Sequence, residues 1–438
     1  MLVDTIIAAR WVIPIVPKNT ILSETSIVIQ NGRILDILPT ATALQQYQAR
    51  QLYELNESVV MPGFVNLHTH AAMNLLRGLG ADLALMDWLN TAIWPAEGKL
   101  MSPEFVREGA ALAGTEMALS GITCASDHYF FPEEAAQGLR SSGLRCAVSG
   151  LVIGFPSAWA QNDNEYLEKS EALIRNHEND PMVHTTIGPH APYTVNDDAL
   201  KACAKLSDRY GVPIHMHINE TRIEVENSLK EHHLRPLDRL KKLGLVNDRL
   251  IAVHNVHAND SDLDLLTEAK SSMCHCPCSN LKLASGFAPV AKALQRGLNL
   301  GIGTDGAASN DKLDMLGEPR LGAMLAKAVA EDTTQATVHD MLEAATLGGA
   351  RALHWDHEIG SVEIGKCADL IAVNLSLPNA VPVTNPAAQL LYASDRSDIT
   401  HTWVNGELIA SKQQLLSTPD EKRLHSLKKW AIKWKNLL

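Results

Sequence analysis

Eight short apolar runs recur between residues 59 and 304, each separated from the next by a stretch of helical character. They are Val59 to Leu67, Ile122 to Ser126, Leu144 to Leu151, Val183 to Gly188, Pro213 to Ile218, Leu250 to His254, Ser271 to Cys276 and Leu298 to Thr304. Runs this short and this rich in β-branched residues read as buried strands. Strands alternating with helices pair in parallel, because a parallel partner is reached only by a crossover long enough to hold a helix. Eight such units over roughly 300 residues predict a closed (β/α)8 barrel of the TIM type. An open doubly wound sheet is the alternative, and no G-x-G-x-x-G follows the first run to favour it. Helix starts are visible too. Ser102 precedes Pro103 as cap and first-turn residue, and Thr194 with Asp197 three residues on is expected to open another helix. Asn259 to Lys270 and Glu318 to Val329 read as further helices. Between the first strand and its helix lies Ala71 to Met101, a length of connection that compact domains keep for function.

The two ends of the chain read differently. Ser26 to Gln30 and Arg33 to Ile37 flank Asn31-Gly32, the strongest short hairpin signal. Ala368 to Val373 and the stretch His401 to Ile409 around Asn405-Gly406 repeat that character near the C-terminus. Neither piece can bury a face alone. A single small β-sandwich built from 1–60 and 366–415 is therefore expected, with the barrel spanning 61–365 and a C-terminal helix over 416–438. The net charge of −12 argues against a nucleic-acid or anionic-membrane partner, which would want clustered Lys and Arg. Ile6 to Val16 is broken by Arg10 and Pro14, so it is neither a signal peptide nor a membrane span. Seven cysteines, an odd number, fit a reducing cytoplasmic location. Cys274, Cys276 and Cys278 alternate without any C-x-x-C and read as small buried residues rather than a thiolate metal site.

Chemistry gathers at the predicted strand ends. The first strand ends in His68 and His70, which share a face because strand residues two apart point the same way. The fourth is followed by His190, the fifth by His217 and Glu220, the sixth by His254 and the eighth by Asp305. Barrel active sites lie at this end of the strands. Three imidazoles and a carboxylate, His68, His70, His217 and Asp305, make a donor set suited to one divalent metal, Zn2+ first, with Fe2+ and Mn2+ as alternatives. The fourth strand carries no Lys to bridge a second ion. His215 competes with His217 for the same role, and the position nearer the strand end is preferred. Glu220 is placed to donate a proton, and His254 to orient or deprotonate a water.

Several motifs together narrow this further. Met61-Pro62-Gly63-Phe64-Val65-Asn66-Leu67-His68-Thr69-His70 resembles the first-strand signature of the amidohydrolase superfamily. Gly188 to Thr194, His217 to Thr221, Ser279 to Gly286 and Gly303 to Asn310 are similar to the 5-methylthioadenosine/S-adenosylhomocysteine deaminase group, among the triazine-hydrolase-like aminohydrolases. The resemblance implies a mononuclear zinc site and hydrolytic loss of ammonia from C6 of an adenine ring. It implies His68, His70, His217 and Asp305 as metal ligands, Glu220 as the acid at a purine ring nitrogen, and His254 with Asp305 as the pair handling the water protons. It also implies Glu97 as acceptor for the ribose hydroxyls and His190 as a substrate contact. The implied partner is a small nucleoside, and a homo-oligomer is compatible with the sequence. No arginine lies between Ser149 and Gln161 to anchor a homocysteine carboxylate. Phe155, Trp159, Trp88 and Met73 offer apolar surface for a thioether. A ribose-free substrate, an s-triazine, guanine or a pterin, is the competing reading, and Glu97 separates the two.

Overall fold

The computed structural model describes residues 1–416, 428–430 and 432–434. Eight barrel strands form: β1 Phe64–Thr69, β2 Ile122–Asp127, β3 Arg145–Val152, β4 Val183–Pro189, β5 Ile214–Ile218, β6 Leu250–His254, β7 Ser272–His275 and β8 Asn299–Ile302. The expected first run is corrected: it breaks at Gly63, so that Val59 to Pro62 pairs in the terminal sheet and only the rest enters the barrel. They pair in parallel, in chain order, through one sheet. β8 returns to β1 and closes the ring. The Asp305 amide donates to the His68 carbonyl at 2.9 Å. The Asn66 side chain donates to Thr304 Oγ1 at 2.7 Å and accepts from the Thr304 amide at 2.9 Å. A Cβ on Gly303 would lie 2.8 Å from that of His68, so glycine is what lets the two strands approach. This closure removes the open-sheet alternative.

Helices fill the crossovers as expected, with one correction. Ser102 caps Pro103–Leu119 by accepting from the Phe105 amide, and Asn259 caps Asp260–Glu268 in a reciprocal box with Asp262. Thr194 caps nothing. The helix Asp197–Tyr210 starts from Asn196, whose side chain accepts from the amides of Asp198 and Ala199. The Thr194 hydroxyl is already engaged by His190 at 2.9 Å and the Ala191 carbonyl at 3.2 Å.

The chain ends combine into one mixed sheet of eight strands. Its pivot is Gln48–Pro62, parallel to Leu2–Val12 on one side and antiparallel to Leu370–Asn374 on the other. The sandwich expected from sequence is thus one continuous sheet curled on itself. The curl brings the two Asn-Gly turns together, so that a Cβ on Gly32 would lie 2.6 Å from the Asn405 carbonyl. Asn31, Gly32, Asn405 and Gly406 all have positive φ, which the tight hairpins require. Ile7, Ile27, Val60, Leu370 and Trp403 share one apolar cluster inside the curl. The pivot strand runs through Gly63 straight into β1, which ties the sheet to the barrel.

The N-terminal end of the barrel is sealed. Trp355 stacks on His184 near the start of β4 at a centroid distance of 3.5 Å and lies under the Arg145 guanidinium at the start of β3. Arg145 Nε meets Asp369 Oδ2 at 2.6 Å, with both side chains 2% exposed. Asp369 also accepts from the Asn405 amide at 2.7 Å. The cluster around Trp355 takes in Cys124, Cys274, Cys276 and Cys367, consistent with cysteines acting as small buried residues. All seven cysteines are free. Most of the expected C-terminal helix, including residues 417–427, lies outside the described residues. Leu416 is not helical, residues 428–430 and 432–434 are, and there Trp430 packs edge-on against Phe105.

Candidate active site

The strand ends at the other mouth bring the polar groups into one place. His70 Nε2 and His68 Nε2 stand 3.3 and 3.4 Å from Asp305 Oδ1. His217 Nε2 stands 3.2 Å from His68 Nε2. Two pyridine-type nitrogens that close repel unless a proton or a cation lies between them. The far sides of the rings decide which. His70 Nδ1–H donates to the His128 carbonyl at 2.6 Å, and His217 Nδ1–H donates to the His190 carbonyl at 2.8 Å. Both Nε2 atoms are therefore lone pairs facing the cluster, the orientation metal-bound histidines take from their outer partners. Ligands at 2.0–2.1 Å around a tetrahedral Zn2+ lie roughly 3.3 Å from one another, which these separations match. The chemistry of the donor set and its spacing fit one divalent metal.

Burial keeps the imidazoles neutral. It depresses His68 to about 3, with the Asp305 carboxylate opposing, and holds His217 well below its ordinary value. Asp305 is the charge in the cluster. Burial works against its ionisation, but His68, His70 and His254 hold it well below the usual carboxylate range. Its Oδ2 accepts from the hydroxyls of Ser279 at 2.6 Å and Ser309 at 2.9 Å, and its Oδ1 from the Gly306 amide at 2.7 Å.

Glu220 and His254 stand beside this cluster. His254 Nδ1–H donates to Asn280 Oδ1 at 2.9 Å, which turns Nε2 toward Glu220 Oε2 at 3.8 Å. Glu220 is buried and its carboxyl is raised by desolvation, with His254 opposing. Asn219, His254 and Asp305 adopt positive φ of 54°, 71° and 58°. Left-handed backbone at three non-glycine strand ends is strain, and it aims the side chains inward. Glu224 reinforces the bend by accepting from the amides of Asn219 and Glu220, both at 2.8 Å.

These groups open onto a cavity of about 740 Å3, its mouth included. His70, His190, His217, Glu220, His254, Asp305 and Glu97 all line it, while His68 lies beneath, fully buried. Glu97 comes from the long connection after β1, on the helix Trp94–Leu100. Burial raises its carboxyl to about 7, with the Tyr129 hydroxyl, which donates to Oε1, opposing. Thr194 receives His190 Nδ1–H, and the hydroxyl in turn donates to the Ala191 carbonyl. His190 Nε2 is left as an acceptor. Of the apolar candidates, Phe155, Trp88 and Met73 line the cavity, whereas Trp159 packs instead against Tyr166.

His215, set aside in the sequence as a ligand in favour of His217, has a supporting place instead, and three further residues had no role assigned to them. His215 stands behind His68, its Nε2 2.9 Å from His68 Nδ1, and its own Nδ1 faces Ser126 and Ser149 at 3.3 and 3.4 Å. The alternation His215-x-His217 carried that signal, since a strand repeats its face every second residue. His128 lines the cavity and donates from Nε2 to the Gly188 carbonyl at 3.1 Å. Tyr129 and Asn280 gave no signal of their own.

A closed parallel barrel whose C-terminal mouth holds such a donor set is the architecture of a metal-dependent hydrolase. Residues 59–409 match the amidohydrolase family, and the chain belongs to it. It is 38% identical over 431 residues to the 5-methylthioadenosine/S-adenosylhomocysteine deaminase of Teredinibacter turnerae, with 98% of each chain covered. It is 38% identical over 423 residues to the protein of the same name from Saccharophagus degradans, covering 97% of this chain and 95% of that one. The crystal structure of an adenosine deaminase from Xanthomonas campestris with bound zinc superposes with a TM-score of 0.98 at 42% identity, over 99% of each chain. Among the described residues, no helix is long and apolar enough to cross a membrane.

Proposed function

We propose that this protein is a deaminase of adenine nucleosides, removing the amino group at C6 by hydrolysis to leave the inosine analogue and ammonia. 5′-Methylthioadenosine, S-adenosylhomocysteine and adenosine are the candidate substrates. The observation that carries this reading is the joint placement of the His70, His217 and Asp305 cluster, Glu220 and Glu97 around one cavity. Its volume lies within the range of roughly 300–1,000 Å3 of small-molecule sites. The relatives' names and the zinc in the Xanthomonas structure support the same assignment.

His68, His70, His217 and Asp305 are proposed to hold one Zn2+. Bound there, the metal supplies Lewis acidity that brings a water's pKa from 15.7 to about 7. Glu220, whose carboxyl burial raises, is the group placed to donate a proton to a purine ring nitrogen and make C6 electrophilic. His254, fixed by Asn280 with Nε2 inward, accepts a proton from the attacking water. Asp305 takes the water's other proton and passes it to the leaving amine, while the proton on His254 returns to Glu220, 3.8 Å away, so that one water is consumed and one ammonia leaves. Glu97 accepts from the ribose hydroxyls, and His190 Nε2 accepts a further substrate hydrogen bond. The free cysteines support a reducing, cytoplasmic setting.

A ribose-free heterocycle is the second reading, and Glu97 argues against it. A buried carboxylate with one phenol as its partner is a costly wall for a substrate lacking hydroxyls. Ammonia release from adenosine, 5′-methylthioadenosine, S-adenosylhomocysteine and guanine decides between them. Turnover of the nucleosides is expected, and turnover of guanine alone would overturn the proposal.

A further inference from the structure

A wall that includes Glu97 has a hollow on each side. A second hollow of about 770 Å3, open to solvent, adjoins the active-site cavity and shares Trp94, Glu97, Phe130 and Phe155 as walls. Met101, Pro156 and Ala158 extend its apolar lining. Trp94 and Phe155 meet edge to face at 6.0 Å. Resting on the reading that ribose binds at Glu97, we infer that this hollow receives the group on ribose C5′. It takes an uncharged thioether rather than a zwitterionic amino-acid tail.

Charge decides the chemistry. Among the described residues, no Lys or Arg lines either hollow. A carboxylate leaving water needs a cation or several donors to replace its hydration. Glu97 on the shared wall is an acceptor, the wrong sign for one. Gln161 lines the hollow, but its amide donates to the Ser157 carbonyl at 2.6 Å. Lys169, on the following helix Asp163–His177, is committed to Glu165 at 2.7 Å and to the Trp159 carbonyl. An alkyl chain on sulfur meets matching surface. Each methylene it buries fully is worth about fourfold in binding, and sulfur against aromatic rings adds to this.

The test compares kcat/KM for adenosine, 5′-methylthioadenosine, 5′-butylthio-5′-deoxyadenosine and S-adenosylhomocysteine, which share base and ribose. The butyl compound matches the length of the homocysteine tail without its charges. It is expected to exceed S-adenosylhomocysteine by about tenfold or more, chiefly through KM, the scale of a missing charged hydrogen bond. Equal values for those two would overturn the subsite while leaving the nucleoside reading intact. Ammonia from guanine and from none of the four nucleosides would sink both. Lys99, exposed on the Glu97 helix, is the cation nearest the lining in sequence. Lys99→Ala is expected to leave the ratio unchanged. Loss of S-adenosylhomocysteine turnover in that variant would show a cation reaching the tail, and would also overturn the inference.

Discussion

At the scale of single residues, protonation states do the discriminating. Glu220 and Asp305 are both buried carboxyls, yet burial raises one and the facing imidazoles depress the other. That splitting is what the proposed roles of Glu220 as acid and Asp305 as base require of one site. Glu220→Gln should keep the bound metal and lose about two orders of magnitude or more in kcat. Metal analysis and steady-state rates on the same preparation check it, and a normal kcat would remove Glu220 from the chemistry. Glu97, raised to about 7, titrates where rates are readily measured. Below that pH it carries a proton and loses acceptor strength, so kcat/KM for a ribonucleoside should fall as pH drops through 7. Glu97→Gln should flatten that limb. The sign for stability is opposite. The folded state holds a proton that the unfolded chain releases near 4.5, so the contribution of Glu97 to stability falls as pH rises toward 7. The convergence of His68, His70, His217, Glu220 and Asp305 was legible in sequence because each sits at the end of an apolar run. Tyr129 and Asn280 were not, since a phenol and an amide act here only through the partner that tertiary packing brings to them.

At the scale of elements, strand periodicity explains both what was seen and what was misjudged. β5 presents His215 and His217 to the same side, one turn of the pleat apart. The upper ring joins the donor cluster, and the lower one braces His68 at 2.9 Å. Outer partners of this kind typically govern 10–100-fold in metal affinity. His215→Ala should weaken metal retention on that scale in a chelator competition, with secondary structure intact by circular dichroism. Undiminished retention would make His215 a bystander. The long connection after β1 was expected to be functional from its length, and it delivers Met73, Trp88, Trp94 and Glu97 to the cavity wall. Its internal helices could not be read in advance, being only four to seven residues each and held by packing rather than propensity. The helix after β4 begins at Asn196 rather than Thr194 for a related reason. Local chemistry allows either cap, and His190 claims the threonine.

At the scale of the whole molecule, a buried ion pair joins barrel and terminal sheet beside their covalent and apolar contacts. Arg145 and Asp369 are 2% exposed and come from β3 and from the start of the C-terminal strands. Removing one partner of such a pair strands the other charge, at a cost of about 3–5 kcal/mol. Asp369→Ala should lower stability by that amount in a denaturant titration, and a loss under 1 kcal/mol would mean the two bodies hold together without it. Alternation of strand and helix made the barrel legible, because it admits few topologies. The curl of the terminal sheet was less so. Hairpin signals fix neighbours within each end of the chain, but the pairing of Gln48–Pro62 with Leu370–Asn374 spans some three hundred residues and leaves no local mark.

Metal dependence measured on one preparation tests the central claim most directly. Purified protein should carry about one divalent ion per chain, lose ammonia release from 5′-methylthioadenosine when a chelator strips it, and regain the rate on adding Zn2+. Full turnover by protein shown to be free of metal would contradict the account, since His68, His70, His217 and Asp305 would then have converged on nothing the reaction uses.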